Sequence, residues 1–168
     1  SRRFDTRPAY CILPYCPLHP PIIENTDYRS TIIEKNMKLG FVFPGQASQC
    51  VGMGRDLWDQ FPQVPEHYRR SSEILGCDIA RLSFQGPEEK LNQTENTQPA
   101  IFVLSVALWQ LLRGHGIQPV AVAGHSLGEY AALVAAEAIS YEQALPLVQL
   151  RGRLMQQAGQ RRPGTMVA

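Results

Sequence analysis

The stretch Val120-Ala121-Val122-Ala123-Gly124-His125-Ser126-Leu127-Gly128 decides the fold of this chain. It begins, just after the break at Pro119, with a short apolar run that is typical of a buried strand. Its second half matches the pattern Gly-x-Ser-x-Gly, and an alanine-rich helical pattern follows from about 127 to 138. The order of strand, sharp turn and helix predicts a serine that projects at the carboxyl end of a parallel sheet, on a nucleophile elbow.

Glycines flank the serine of this turn, and the geometry of a sharp turn explains them. Side chains two positions before and after Ser126 would collide with the backbone, so we expect Gly124 and Gly128 to support the loop through their missing Cβ. His125 is expected to help hold the same loop. The N–H of Leu127, at the helix N-terminus, can face a developing oxyanion. Taken alone, the pattern indicates serine acyl chemistry and does not separate a hydrolase from a transferase.

The rest of the chain alternates between strand and helix patterns. A strand that ends at Phe43 precedes the turn signal Pro44-Gly45. Helices are predicted at 52–61, 64–75, 78–84, 98–113, 127–138 and 141–158, the last with a capping box at its start. This order predicts an α/β fold with a mostly parallel sheet, flanking helices and a hydrolase-like core.

The first 36 residues differ from the remainder in pattern. They are rich in proline, open without methionine, lack the apolar core of a signal peptide and carry too many acidic residues for a transit peptide. We interpret residues 1–36 as a disordered or non-native leader, with Met37 as the true start. The domain then occupies 37–168, and Gly164–Ala168 has the pattern of a further strand.

Composition narrows the class of protein. The 168 residues suit about one domain, and 44% of them are hydrophobic. A formal net charge of +1 indicates neither nucleic acid nor an anionic membrane as a partner. The cysteines at 11, 16, 50 and 77 form no metal-binding pattern, so we expect reduced thiols, no metal and a cytoplasmic location.

Four segments, in this order, carry a resemblance to a known family. They are Phe41-Val42-Phe43-Pro44-Gly45-Gln46-Ala47-Ser48-Gln49, Thr97-Gln98-Pro99-Ala100, Gly124-His125-Ser126-Leu127-Gly128-Glu129-Tyr130 and Arg151-Gly152. Together they resemble the malonyl-coenzyme A:acyl-carrier-protein transacylase family, and the likeness covers 37–168 as the N-terminal part of an acyltransferase domain. The resemblance implies that Ser126 is the acylated nucleophile and that the backbone N–H groups of Gln46 and Leu127 form the oxyanion hole.

The resemblance also implies the substrates and the residues that bind them. Arg151 would hold the free carboxylate of the malonyl group, with Gln98 and Met155 also at the substrate site and Gln98 supporting the nucleophile loop. The substrates are a coenzyme A thioester and acyl carrier protein, which both present a phosphopantetheine arm, and no separate cofactor is implied.

Two positions depart from what these patterns require. Ala47 stands where the family usually has glycine, and it is strained if that position needs a positive φ. Pro146 falls inside the helix predicted at 141–158, where we expect a kink or a restart.

Arg151 can also be interpreted without the family. It falls at helical spacing with an apolar stripe that comprises Leu147, Leu150, Leu154, Met155 and Ala158, whereas Arg153 points away. An inward-facing arginine must find an anion, because an unpaired buried charge is costly. The anion is either a structural Asp or Glu or a substrate carboxylate, and beside the other motifs we favour the carboxylate.

A serine nucleophile needs a general base, and no histidine of this sequence is convincing. The side chain of His125 should diverge from that of Ser126 at the sharp turn. His115 precedes the strand and should lie at the other end of the sheet, His67 is expected on a solvated helix face, and His19 lies in the leader. The family resemblance implies a histidine later in the chain, past a small inserted subdomain of which 164–168 would be the first strand. On that basis we expect the base after residue 168, and a chain that is truncated and nearly inactive alone.

The function expected from these features is malonyl transfer from coenzyme A to acyl carrier protein through an acyl-serine, in fatty acid or polyketide biosynthesis. An acyltransferase domain of a multifunctional synthase is a close variant. The alternatives are a serine hydrolase of the esterase or thioesterase type, which would need no arginine in the pocket, and an inactive fragment or carrier-protein-binding remnant.

Overall fold

A computed structural model describes residues 38–162 and residue 164. The elements of these residues are, in chain order, β1 (Gly40–Phe43), α1 (Arg55–Gln60), α2 (Gln63–Leu75), α3 (Ile79–Gln85), α4 (Glu88–Leu91), α5 (Thr94–Gly114), β2 (Ala121–Gly124), α6 (Gly128–Ala135) and α7 (Tyr141–Arg161). The leader at 1–36 and nearly all of the strand expected at 164–168 lie outside the described residues, so those expectations stay predictions.

The two described strands form a parallel sheet. Gly40 pairs with Ala121 and Phe43 with Gly124, so both strands end at the same edge. The N–H of His125 continues the ladder by donating to the carbonyl of Phe43 at 3.0 Å. The turn after β1 therefore lies beside the turn that carries Ser126. A parallel sheet with flanking helices confirms the predicted α/β class.

Helix α5 forms the centre of the core. Every residue from Ala100 to Ala107 is buried. The helix begins at Thr94, so the predicted start at Gln98 is wrong. Pro99 lies in the second turn, where a proline removes a single helical hydrogen bond and does not end the helix. The hydroxyl of Thr97 fastens this end by donating to the carbonyl of Leu91 at 2.5 Å.

Helix α7 runs without interruption from Tyr141 to Arg161. The capping box expected at its start is present, with the side chains and backbone of Ser140 and Gln143 bonded reciprocally. Of the kink or restart expected at Pro146, the restart is not present, since one helix continues through it. Pro146 is exposed, so water can solvate the carbonyl that its missing N–H leaves unpaired.

The face of α7 that is buried differs from the predicted one. Its buried residues are Tyr141, Ala144, Leu145, Val148 and Gly152. The leucines of the predicted stripe are instead exposed, with fractions of 46% for Leu147, 52% for Leu150 and 55% for Leu154. The prediction for α7 gave the correct helical spacing and the wrong buried face. Small residues at 144 and 152 let α7 lie close to α5, and the positions of the leucines do not indicate this.

His67, expected in solvent, lies half-buried between α2, α5 and the start of α7. Its Nε2 is 3.0 Å from the carbonyl oxygen of Val103, and its ring centroid is 4.8 Å from that of Tyr141. Tyr141 in turn stacks on Phe102 and shares a 2.5 Å hydrogen bond with the hydroxyl of Ser71. Burial lowers the pKa of His67, because the charged imidazolium loses hydration there.

The half-buried histidine makes the stability of the fold depend on pH. Below pH 6.5, the ordinary pKa of histidine, the unfolded chain binds a proton that folded His67 resists. We therefore expect the free energy of unfolding to fall as the pH falls through this value and to level off below the lowered folded pKa. His67→Gln keeps a donor for the Val103 carbonyl without a titrating ring, so it should reduce this pH dependence in urea titrations between pH 8 and pH 5. An unchanged pH dependence in the variant would contradict the assignment.

Candidate active site

Ser126 occupies the sharp turn between β2 and α6. Its backbone has a φ of 54°, in the left-handed region that residues other than glycine seldom adopt. The residue is exposed, and only one residue separates it from the first residue of α6. Strain of this kind persists where the surrounding structure fixes the backbone, and it often accompanies function.

The glycines at either side of the turn are there because of close approaches between backbones. A Cβ on Gly124 would lie 2.1 Å from the carbonyl carbon of Gly128, at the start of α6. A Cβ on Gly128 would lie 2.1 Å from the carbonyl oxygen of Phe43, at the end of β1. The collisions therefore involve the neighbouring helix and strand rather than the serine itself, and no other residue fits at either position.

The loop after β1 lies opposite this turn and carries Gln46. The side chain of Gln46 donates to the hydroxyl of Thr94 at 3.2 Å, which ties the loop to the start of α5. Within residues 38–162, no hydrogen bond engages the backbone N–H of Gln46 or that of Leu127. Both N–H groups are thus free, among these residues, to bind an oxygen anion.

Ala47 has a φ of 85°, so its backbone does adopt the left-handed conformation in which an alanine is strained. The side chain of Gln49 accepts from the N–H of Ala47 at 2.9 Å and donates to the carboxamide oxygen of Asn92 at 2.8 Å. These bonds help to hold the strained loop in place.

Arg151 reaches the serine from α7. Its Nη2 donates to the Oγ of Ser126 at 3.0 Å, and its Nη1 donates to Oε1 of Gln98 at 2.6 Å. The side chain of Arg151 is half-buried at the margin of the buried face of α7, rather than on an apolar stripe. In the described part of the chain, Arg151 forms no ion pair with an aspartate or glutamate. The alternative of a structural Asp or Glu partner for Arg151 is thus not found among these residues.

Gln98 contacts α7 rather than the loop that it was expected to support. It is fully buried, and besides accepting from Arg151 it donates through Nε2 to the sulfur of Met155 at 3.1 Å. Its link to Ser126 therefore passes through Arg151. Met155, expected to bind substrate, is half-buried and directs its sulfur to Gln98.

The histidines near the sheet do not reach the serine hydroxyl. His125 lies against the loop after β1, because a Cβ on Gly45 would come within 2.7 Å of its Nδ1. His115 lies at the far end of α5, in edge contact with Phe61 at 6.4 Å. Across 38–162, the hydrogen bond of the Ser126 hydroxyl is the one from Arg151.

Sequence reasoning missed the residues that fasten α7 to the start of α5. Oε1 of Gln156 accepts from the N–H of Thr94 at 2.9 Å, and Gly152 packs against the same turn. Glycine at 152 in the Arg-Gly pair was the available signal, since a glycine inside a predicted helix often has a packing reason.

In the described residues, no cluster of His, Cys, Asp and Glu could hold a metal ion. Every helix described there is too short or too polar to cross a membrane.

The chain is similar to known proteins in sequence and in fold. The profile of the family described as acyl transferase domain matches residues 40–168. The malonyl CoA-acyl carrier protein transacylase of Haemophilus influenzae is 47% identical over 133 residues, which are 78% of this chain. An acyl carrier protein S-malonyltransferase of Vibrio cholerae superposes with a TM-score of 0.70 at 52% identity, over 73% of this chain and 40% of that one.

A second similar structure is a complex of a type II PKS acyl-carrier protein with its malonyl-transacylase, with a TM-score of 0.70 and 50% identity over 73% of this chain and 40% of the matched one. The chain spans 43% of the length of the Haemophilus influenzae relative.

The tight packing at Gly128 can be tested by adding a methyl group. Gly128→Ala forces its Cβ toward the Phe43 carbonyl, so it should lower the free energy of unfolding by about 3 kcal/mol. The control is Gly159→Ala, where a Cβ meets no atom within 4 Å and which should raise it by up to about 1 kcal/mol. Chemical denaturation of both variants provides the measurement, and equal stabilities would contradict the packing argument.

Proposed function

The chain belongs to the acyl transferase domain family, and we propose that the enzyme containing it transfers a malonyl group from coenzyme A to the phosphopantetheine thiol of acyl carrier protein. The names of its relatives support this substrate pair, and the complex with a type II PKS carrier protein supports the partner. The reaction would serve fatty acid or polyketide biosynthesis in the cytoplasm. It needs no separate cofactor, because the substrates themselves carry the thioester and the accepting thiol.

The contact between Ser126 and Arg151 carries this proposal. A nucleophile and a guanidinium 3.0 Å apart match the malonyl group, whose thioester carbonyl and carboxylate are separated by a single methylene. Serine could attack the carbonyl while the arginine binds the carboxylate through parallel hydrogen bonds. A simple esterase would have no use for a cation beside its nucleophile.

In the first half of the proposed reaction, Oγ of Ser126 attacks the thioester carbon of malonyl-coenzyme A. The new C–O bond forms as the serine loses its proton to a base, and the tetrahedral oxyanion lies against the N–H groups of Gln46 and Leu127. The C–S bond then breaks, and coenzyme A leaves as a thiol after it takes up a proton. We interpret the turn at 124–128 as a nucleophile elbow, since its strained serine stands between strand and helix.

In the second half, the phosphopantetheine thiol of acyl carrier protein attacks the malonyl-serine ester. Its proton passes to the base as the new C–S bond forms. The ester C–O bond then breaks, and the base returns the proton to Oγ to restore the hydroxyl of Ser126. The base must be near that hydroxyl, and neither His125 nor His115 is in hydrogen-bond contact with it. We infer that a residue outside 38–162 supplies the base, in line with the histidine that the family resemblance implies.

Ser126 should carry the acyl group. An enzyme of the relatives' full length that contains these residues, treated with malonyl-coenzyme A and no acceptor, should gain one malonyl adduct, and Ser126→Ala should abolish it. Peptide mass spectrometry locates the label. A label on Ser48, on Ser105 or on a cysteine would contradict the assignment.

Arg151 should select the acyl group without making the bond. Loss of one partner of a charge-paired hydrogen bond in a water-poor pocket costs about 2–5 kcal/mol. Arg151→Ala should therefore slow malonyl transfer by roughly 30-fold or more and leave acetyl transfer nearly unchanged or faster. The control, Arg153→Ala, changes an exposed arginine of the same helix and should preserve the malonyl-to-acetyl ratio. Equal losses for both acyl groups in Arg151→Ala would assign it a structural role.

A further inference from the structure

An arginine that binds a substrate carboxylate has to meet two requirements. Its guanidinium must be held in place, since a free arginine side chain loses much rotamer entropy when it binds. Its charge must also remain available, since a carboxylate partner within the protein would compete with the substrate. The partners of Arg151 in the described part of the chain are Gln98 and the hydroxyl of Ser126, which are both neutral.

The amide of Gln98 is committed at both ends. Its oxygen accepts from Nη1 of Arg151 at 2.6 Å, and its nitrogen donates to the sulfur of Met155 at 3.1 Å. The residue is 0% exposed, so water does not compete for either group. Since Arg151 and Met155 lie one helical turn apart on α7, Gln98 of α5 spans that turn and holds Nη1 of the guanidinium while Nη2 contacts Ser126.

The two helices approach closely where Gln98 lies. A Cβ on Gly152 would be 3.0 Å from the carbonyl oxygen of Thr94 and from Cα of Glu95, so any larger residue would press α7 away from the start of α5. One turn further along α7, Gln156 accepts from the N–H of Thr94 at 2.9 Å. The distance between Gln98 and Arg151 is therefore set by backbone packing as well as by their own hydrogen bond.

We propose that Gln98 is the positioning residue of Arg151, and that its neutrality preserves the selectivity of the site for an acyl group with a free carboxylate. The amide orients one edge of the guanidinium and leaves the positive charge uncompensated for the substrate. A glutamate of the same shape would orient Arg151 equally well and neutralise it. This inference rests on the proposed function and assigns to Gln98 no direct contact with the reacting atoms.

Gln98→Glu tests the role of neutrality with almost no change in shape. In an enzyme of the relatives' full length that contains these residues, Ser126 is acylated in a single turnover by malonyl-coenzyme A or by acetyl-coenzyme A. The variant carboxylate should pair with Arg151, so half-saturation for malonyl-coenzyme A should rise by at least about 30-fold. The acetylation rate should stay within about threefold of wild type, since acetyl makes no use of the charge. Gln157→Glu adds the same charge at an exposed position of α7. It should change neither the half-saturation for malonyl-coenzyme A nor the acetylation rate.

A second variant keeps the inference falsifiable if a buried glutamate impairs folding. Gln98→Met removes the acceptor without adding charge, so Arg151 loses its anchor. Malonylation should then slow by roughly tenfold, with acetylation again preserved.

The outcomes distinguish a failure of the positioning role of Gln98 from a failure of the proposed function. Equal losses of malonylation and acetylation in folded Gln98→Glu and Gln98→Met, or no loss at all, would overturn the positioning role alone. A wild-type enzyme that acylates Ser126 with neither group, or without preference for malonyl, would overturn the proposed function and this inference with it.

Discussion

Backbone contact at the turn around Ser126 is the constraint on which the rest of the site depends. Gly124 lies against the start of α6, and Gly128 lies against the last carbonyl of β1, at distances that leave no room for a methyl group. Because β1 and β2 pair in parallel and end together, the same packing brings the loop with Gln46 beside the serine. The pairing of β1 with β2, the two glycines and the strained backbone of Ser126 therefore depend on one another. The same arrangement leaves the N–H groups of Gln46 and Leu127 without a hydrogen-bond partner among the described residues.

The helices contribute the second component of the site. Helix α5 provides the buried core and places Gln98 at its first turns, and α7 crosses it where Gly152 permits contact. Arg151 can then touch both Gln98 and Ser126. The chemistry proposed for Ser126 and the carboxylate recognition proposed for Arg151 thus depend on different packing contacts, which is why variants on α7 are expected to alter selectivity and variants at the turn to alter folding.

The sequence was sufficient for the features that local rules control. The order of strand, turn and helix around Ser126 and the capping box at Ser140 follow from the pattern itself. The buried face of α7 did not, because the exposed leucines outnumber the small residues that pack inward. His67 was placed wrongly, and the partners of Gln98 were not predicted, for a related reason. Their contacts, with Val103 and with Arg151, join separate helices, and such pairings leave no periodic signal.

The most direct test of the account is the structure of a full-length enzyme containing these residues, with malonyl trapped on Ser126. We expect the malonyl carboxylate to accept two hydrogen bonds from Arg151 within about 3 Å, with Gln98 still bonded to the other edge of the guanidinium. A carboxylate directed to solvent, or an arginine turned away to an aspartate or glutamate, would contradict the claim that this pair selects the acyl group.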